Sequence, residues 1–184
     1  MSQPQDRRVY PMAPLIRFTL LALYSALVLP LPVLAPPDTR LAMVIALLLG
    51  GGIVVAITSE RVVVDGQGIE VGYPRAWSWL LRRGWSLPWE RIGGLTPVAT
   101  SQGGRVYYVR CQSDSSKSQG AQAYLLPQRV AGFEDFLKQF TRGTGIRTEG
   151  IERITPPWTY RLLAVLSGLL LGGELVAWLL AGPG

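Results

Sequence analysis

The stretch LAMVIALLLGGGIVVAI, residues 41–57, contains no charged side chain. Before it, across Pro36-Pro37-Asp38-Thr39-Arg40, lies another apolar run, residues 18–35, with Arg17 at its leading edge. At about 1.5 Å rise per residue, a run of about 18 residues is near the lower limit for a helix that crosses a bilayer. Pro30 and Pro32 bend its far end, which a membrane helix tolerates when neighbouring groups satisfy the freed carbonyls. The two runs predict a transmembrane helical hairpin closed by a tight polar turn at 36–40. A cleavable leader is the competing reading of the first run, since Arg7, Arg8 and Arg17 suit its basic start. Against it, the apolar core exceeds the roughly 7–15 residues of a leader, and the second run follows at once.

A third apolar run, 162–181, is entered through Pro156-Pro157-Trp158-Thr159-Tyr160-Arg161. Trp158, Tyr160 and Arg161 are the types that settle at a headgroup boundary, and Trp178 suits the opposite one. Arg7, Arg8 and Arg17 precede the hairpin, whereas its turn carries only Arg40. Residues 59–161 hold 14 Lys+Arg against 9 Asp+Glu, a net of +5. Positive flanks stay on the cytoplasmic side, so the N-terminus and the central segment are expected there.

The whole chain has 184 residues, 48% of them apolar and 16% charged, with a net charge of +6. Its mean hydropathy of +0.25 agrees with a chain partly in lipid. It has no His, which removes imidazole general bases, Ser-His-Asp triads and imidazole metal ligands. A lone Cys111 leaves no intramolecular disulfide and no Cys-rich zinc site, and a small buried hydrophobe is its expected role. Glu134 and Asp135 are neighbours on a helix and point apart, while Glu149 and Glu152 lie in the segment before the third run. No carboxylate pair is assembled by spacing, so a non-enzymatic protein without cofactor or metal is expected. The positive charge is spread over about a hundred residues, which suits an anionic membrane surface and not nucleic acid.

From residue 59 the pattern changes to short alternating runs punctuated by Gly and Pro. Strands are predicted at 61–64, 69–73, 85–89, 94–98, 105–110 and 122–126, with Asp65-Gly66 as a two-residue hairpin turn. Pro88 assigns 85–89 to a sheet edge. The polar run 113–120 reads as a hairpin loop, without the spacing of a phosphate-binding loop. A helix is predicted over 128–141 from the stripe Val130, Phe133, Phe136, Leu137 and Phe140, ended by Gly143 and Gly145. This order implies a strongly bent antiparallel sheet plugged by one C-terminal helix.

The segments Val62-Val63-Val64-Asp65-Gly66-Gln67-Gly68-Ile69 and Leu87-Pro88-Trp89-Glu90-Arg91-Ile92, followed by that helix, resemble the bacterial pleckstrin-homology-like (PH-like) domains. The resemblance covers about half of the chain, and its motifs are structural. In its layout, and in Gly84-Trp85-Ser86-Leu87-Pro88-Trp89 and Tyr124-Leu125-Leu126-Pro127, the chain is similar to auxiliary proteins of cyanobacterial thylakoids, photosystem assembly factors among them. The third run departs from the two-span photosystem I assembly family. The resemblance implies integral membrane partners, photosystem reaction-centre proteins foremost, photosystem II ahead of photosystem I, together with membrane lipids.

Four of the six tryptophans, Trp77, Trp79, Trp85 and Trp89, fall within thirteen positions, interleaved with Arg75, Arg82, Arg83 and Arg91. Trp and Arg suit both anionic headgroups and protein hot spots. For Trp85 and Trp89 a core role competes. Arg75, Trp77, Trp79, Arg82 and Arg83 are the expected contact surface for a partner or a membrane. In the third run Gly168-x-x-x-Gly172 permits close helix approach, and Glu174 is an intramembrane carboxylate that calls for a partner or a reach to the boundary. Gly168, Gly172 and Glu174 together predict a docking helix. Gly50-Gly51-Gly52 serves either such docking or packing within the hairpin.

The expectation is thus a membrane α+β protein: a tail at 1–17, a transmembrane hairpin at 18–57, a cytoplasmic PH-like β domain at 58–150, a linker at 151–161 and a transmembrane helix at 162–184. Its expected function is to assist photosystem assembly or stabilisation in the thylakoid membrane, with lipid-headgroup binding or stress sensing as the alternative.

Overall fold

The computed structural model describes residues 7–81, 84–100, 105–112, 123–151 and 157–181. The expected loop at 113–120, together with Arg82, Arg83 and Glu152, lies outside them. The chain divides into two compact units: residues 14–58 with 156–184 form one, and residues 1–13 with 59–155 form the other.

The first unit is helical. Helix α1 (Pro14–Val28) is interrupted at Leu29, and α2 (Pro30–Leu34) resumes with Pro30 at its first position. Proline lacks the N–H that a continuous helix would need, and its fixed φ suits a helix start. Only Ala35 and Pro36 separate α2 from α3 (Pro37–Ile57). The expected polar turn at 36–40 is therefore corrected: Asp38, Thr39 and Arg40 form the first turn of α3, with Asp38 favourably placed near the positive end of the helix dipole. The last helix, α5 (Pro157–Ala181), begins five residues before the expected run.

Three segments, Pro14–Leu34, Pro37–Ile57 and Trp158–Leu180, are long and apolar enough to cross a membrane. Tyr24 donates its hydroxyl to the carbonyl of Leu47 at 2.7 Å, and its ring lies where a Cβ on Gly50 would go. Gly50 thus serves packing within the hairpin. Near the starts of α1 and α5, Thr19 donates to the Tyr160 carbonyl at 3.2 Å. Near their far ends Leu34 and Trp178 line one cleft, so the α1–α2 segment and α5 run parallel. With α3 reversed by its short connection, the points where the chain leaves this unit all lie at one end of it.

The second unit holds two antiparallel sheets and a helix. The first sheet has the order β1 (Arg8–Pro11), β2 (Arg61–Val64), β3 (Gly68–Gly72), β4 (Trp85–Pro88). The second has the order β5 (Ile92–Ala99), β6 (Arg105–Cys111), β7 (Ala123–Leu125). A single 3₁₀ turn, Trp89–Arg91, carries the chain from one to the other. The single bent sheet expected from the pattern is therefore two sheets, with β4 at an edge as Pro88 requires.

Strand β1 comes from the segment read as a tail. It pairs with β2, Arg8 opposite Val64 and Pro11 opposite Arg61, across the whole helical hairpin in sequence. Residues 11–13 are then stitched to 129–131: the Ala131 amide donates to Pro11 at 2.7 Å and the Ala13 amide to Arg129 at 2.8 Å. This pairing holds Val130 in a β-bridge with Met12, outside the helix to which its spacing assigned it. The helix, α4 (Phe133–Thr144), starts after Gly132, which has a φ of 63°, a conformation that glycine adopts without a Cβ penalty. Gly143 does not end it. It lies within the last turn, where a Cβ would run into the Trp89 indole, and Gly145 with a φ of 70° is the cap.

The β2–β3 connection also differs in kind from the expected two-residue turn. Gly66 does not adopt positive φ. Instead, the Asp65 carboxylate accepts the amides of Gln67 (2.9 Å) and Gly68 (3.0 Å), and an Asx turn closes the loop. The core lies among both sheets and α4, with Val62, Ile69, Val109, Leu126, Phe133, Phe136 and Phe140 essentially inaccessible. Trp89 belongs to it, edge-on to Phe140 and donating its indole N–H to Asp65 O at 2.9 Å. Trp85 is half-buried and stacks on Tyr124 at 5.1 Å.

Candidate functional site

After β3, Pro74 ends extended structure and the next seven residues coil into consecutive turns. The Pro74 carbonyl accepts the amides of Trp77 (2.9 Å) and Ser78 (3.1 Å), and the Trp77 carbonyl accepts those of Leu80 (3.1 Å) and Leu81 (3.0 Å). Ser78 donates its hydroxyl to the Arg75 carbonyl at 3.0 Å. Trp79 donates its indole N–H to the Ala76 carbonyl at 2.9 Å while the residue stays 78% exposed. Its one polar group is satisfied inside the loop, so the ring offers outward an almost purely apolar surface. Leu80 beside it is 49% exposed, Arg75 is exposed and Trp77 is half-buried. The loop brings together Arg75, Trp77 and Trp79 of the expected surface. Its apolar part includes Leu80, which sequence reasoning did not single out.

Helix α5 does not bring its three expected residues together. At about 100° per residue, Gly168 and Gly172 share one face. That face is exposed, and a Cβ added at either glycine would meet nothing within 4 Å. Glu174 lies about 200° from Gly172, on the stripe that continues from Ser167 through Leu171. Ser167 is buried, and Glu174 is half-buried. The three residues thus belong to two surfaces, a separation that the helical repeat alone already contains. Where α2 departs, Leu29, Pro30, Leu34, Leu171, Glu174 and Trp178 line a cleft of about 510 Å³. Glu174 is the only ionisable residue in its wall.

A smaller cleft of about 250 Å³ lies in the sheet unit, lined by Met12, Glu60, Val71, Trp85, Leu126 and Arg129 among others. Burial raises the pKa of the Glu60 carboxyl, and the charge of Arg129 opposes that shift. Burial likewise raises the Tyr73 phenol, with a smaller contribution from the nearby Glu60 charge. Sequence reasoning passed over Glu60, whose only signal was its place between an apolar helix and a strand. Elsewhere in the sheet unit, Asp135 accepts from the Tyr10 hydroxyl at 2.6 Å and from the Arg8 guanidinium at 2.9 Å. The Tyr10 bond is the main cause of the lowered Asp135 pKa. Tyr10 itself is pushed up to about 12, chiefly by burial. This cluster ties β1 to α4 at the surface, with both ends of the ion pair about half exposed. Among the described residues no group of His, Cys, Asp or Glu is arranged to hold a metal ion.

The chain is thus an α+β protein with an exposed Trp/Leu loop on its two-sheet unit and a cleft bearing Glu174 in its helical unit. It is 42% identical over 181 residues to a protein of the cyanobacterium Synechocystis sp. described as "Uncharacterized protein slr0269". That similarity covers 95% of this chain and 88% of the relative. The chain belongs to the family of slr0269. No family model matches it, and no solved structure does.

Proposed function

We propose that this protein is a non-enzymatic, membrane-anchored factor that binds other membrane proteins. The observation that carries the reading is the 74–81 loop, whose Trp79 satisfies its own N–H and turns an apolar ring outward beside Leu80 and Arg75. Exposed aromatic and Arg side chains are the usual anchors of protein interfaces. The open Gly168/Gly172 face of α5 supplies a second approach surface for a partner helix. A scaffold of this kind needs complementary surfaces and no assembled acid–base pair.

In the finer reading, the three apolar helices span the membrane, and the N-terminus and sheet unit lie on the cytoplasmic side. The sheet unit is PH-like, a reading supported by four strands, then three, then one closing helix. The membrane is the thylakoid and the partner a photosystem under assembly, photosystem II ahead of photosystem I. The cyanobacterial relative and the resemblance in layout support that last step, and no residue of the loop encodes it.

The test is a gentle-detergent pull-down of the tagged full chain, with mass spectrometry and an absorption spectrum of the eluate. Photosystem subunits with chlorophyll are the expected outcome, and Trp79→Ser with Leu80→Ser should remove them while the sheet unit stays folded. An eluate of the protein with lipid alone would sink the assembly reading and favour headgroup binding by the same loop.

A further inference from the structure

We propose that the cleft between α2 and the end of α5 is a binding site for a lipophilic amine, a molecule with a long apolar body and one cationic head. The inference goes beyond the partner-binding reading and does not depend on it.

The cleft follows from a covalent constraint. Helix α1 packs along α5 and α3, but the break at Leu29 sends α2 against α3. The strip of α5 that α1 would have covered is left open from Leu171 to Trp178. This is the continuation of the stripe that holds Ser167 against α1, and a wall of Leu29, Pro30, Val33 and Leu34 faces it. About 510 Å³ falls within the roughly 300–1,000 Å³ typical of small-molecule sites.

The wall is apolar apart from Glu174, and none of the described residues forms a hydrogen bond or ion pair with that carboxyl. A carboxyl in an apolar wall is costly unless something donates to it. Among the described residues no ion pair reaches Glu174, which leaves its carboxyl open to a cationic occupant of the cleft. A second helix is the weaker candidate. At one end of the strip α1 already lies on α5, and a docking helix would need a longer uninterrupted face. A slender apolar chain with a terminal amine fits along the Leu and Val wall and brings its charge to Glu174.

The experiment uses the full chain in phosphatidylcholine nanodiscs and two photoreactive probes of equal length, a diazirine-bearing octadecylamine and the matching octadecanol. Labelled peptides are mapped by mass spectrometry. The amine should label residues 29–34 and 171–178 about tenfold more than the alcohol does, in line with a charge-assisted hydrogen bond. Unlabelled octadecylamine should compete. Glu174→Gln should remove the preference for the amine and leave alcohol labelling unchanged. Leu34→Trp fills the cleft from the opposite wall and should reduce labelling by both probes, which keeps the proposal testable if the Gln variant fails to fold. Equal labelling by amine and alcohol, labelling scattered along all three helices, or an amine preference that survives Glu174→Gln would each overturn it. So would the loss of a co-purifying membrane protein on Glu174→Gln with amine labelling intact, which would assign the carboxyl to a partner helix.

Discussion

Helices α4 and α5 use similar apolar residues in opposite ways. In α4 the large side chains turn inward: Phe136 is 0% exposed, and Phe133 and Phe140 are as deeply buried. In α5 the buried residue is Ser167, while Leu169 is 68% exposed and its neighbours are apolar almost all round. A helix in water must hide its apolar stripe to gain stability. A helix in lipid gains nothing from burying leucine, so its contacts are made by small and polar groups. Several contacts of the helical unit are of that small or polar kind: Thr19 to Tyr160, Tyr24 to Leu47, and the Tyr24 ring against Gly50.

The largest expected effect tests this contrast directly. Phe136→Ala should destabilise the sheet unit by about 3–5 kcal/mol, as for other buried aromatics. Leu169→Ala, on the open side of α5, should change little. Hydrogen exchange of the β2 and β3 amides in the full chain in nanodiscs would register the first and not the second. A comparable loss from Leu169→Ala would mean that this face is covered, and the contrast between the two helices would break.

Next in size is Gly143→Ala. Its Cβ would enter the space of the Trp89 ring, and the forced shift should cost about 1–3 kcal/mol, read as faster exchange of the Trp89 indole N–H. Within the helical unit the matched pair is Gly50→Ala and Gly172→Ala. The former displaces the Tyr24 ring and its hydrogen bond to Leu47, with a loss of about 1 kcal/mol. The latter enters open space and should be neutral or slightly stabilising. Thermal unfolding of both variants in one detergent separates them. Equal effects would remove Tyr24 as the element that sets the α1–α3 spacing.

The smallest effects are electrostatic and belong to the sheet unit. Because burial raises the Glu60 pKa, folding favours its protonated form. That contribution is complete below its ordinary value of 4.5 and is lost as pH rises through the folded value. Glu60→Gln should therefore stabilise the protein at neutral pH, and the gain should shrink as pH falls towards 4.5. Tyr10, raised to about 12, contributes stability below pH 10 that is lost as pH rises through about 12. Asp135 works in the other direction, with support present above 3.8 that fades as pH falls through its lowered value. A pH series of unfolding midpoints for wild type, Glu60→Gln, Tyr10→Phe and Asp135→Asn checks all three signs. A Glu60→Gln gain independent of pH would show that lost packing, and not charge, governs the site.

The three apolar helices, six of the seven strands and the Phe stripe of α4 are legible from periodicity, because each depends on neighbours a few positions away. The exposed character of Trp79 is also legible, from a basic and partly apolar run between strands. That Gly168 and Gly172 face away from Glu174 was within reach of the same arithmetic, since about 100° per residue puts position 174 opposite position 172. Strand β1 was not within reach. Arg8-Val9-Tyr10-Pro11 is too short to show a period, and its partner Val62–Val64 lies beyond the whole helical hairpin.

By itself the sequence determined where apolar runs begin and end, which residues alternate, and that no histidine-based chemistry is present, since composition and short-range repeat decide those. Only the tertiary structure decided that the N-terminal segment completes a sheet, that Gly143 yields its space to Trp89, that Glu60 is half-buried beside Arg129, and that the Pro30 break opens a cleft around Glu174. Each of these depends on which distant surfaces meet. Van der Waals exclusion and the pairing of backbone donors and acceptors select those meetings, and neither is written in any local stretch of the chain.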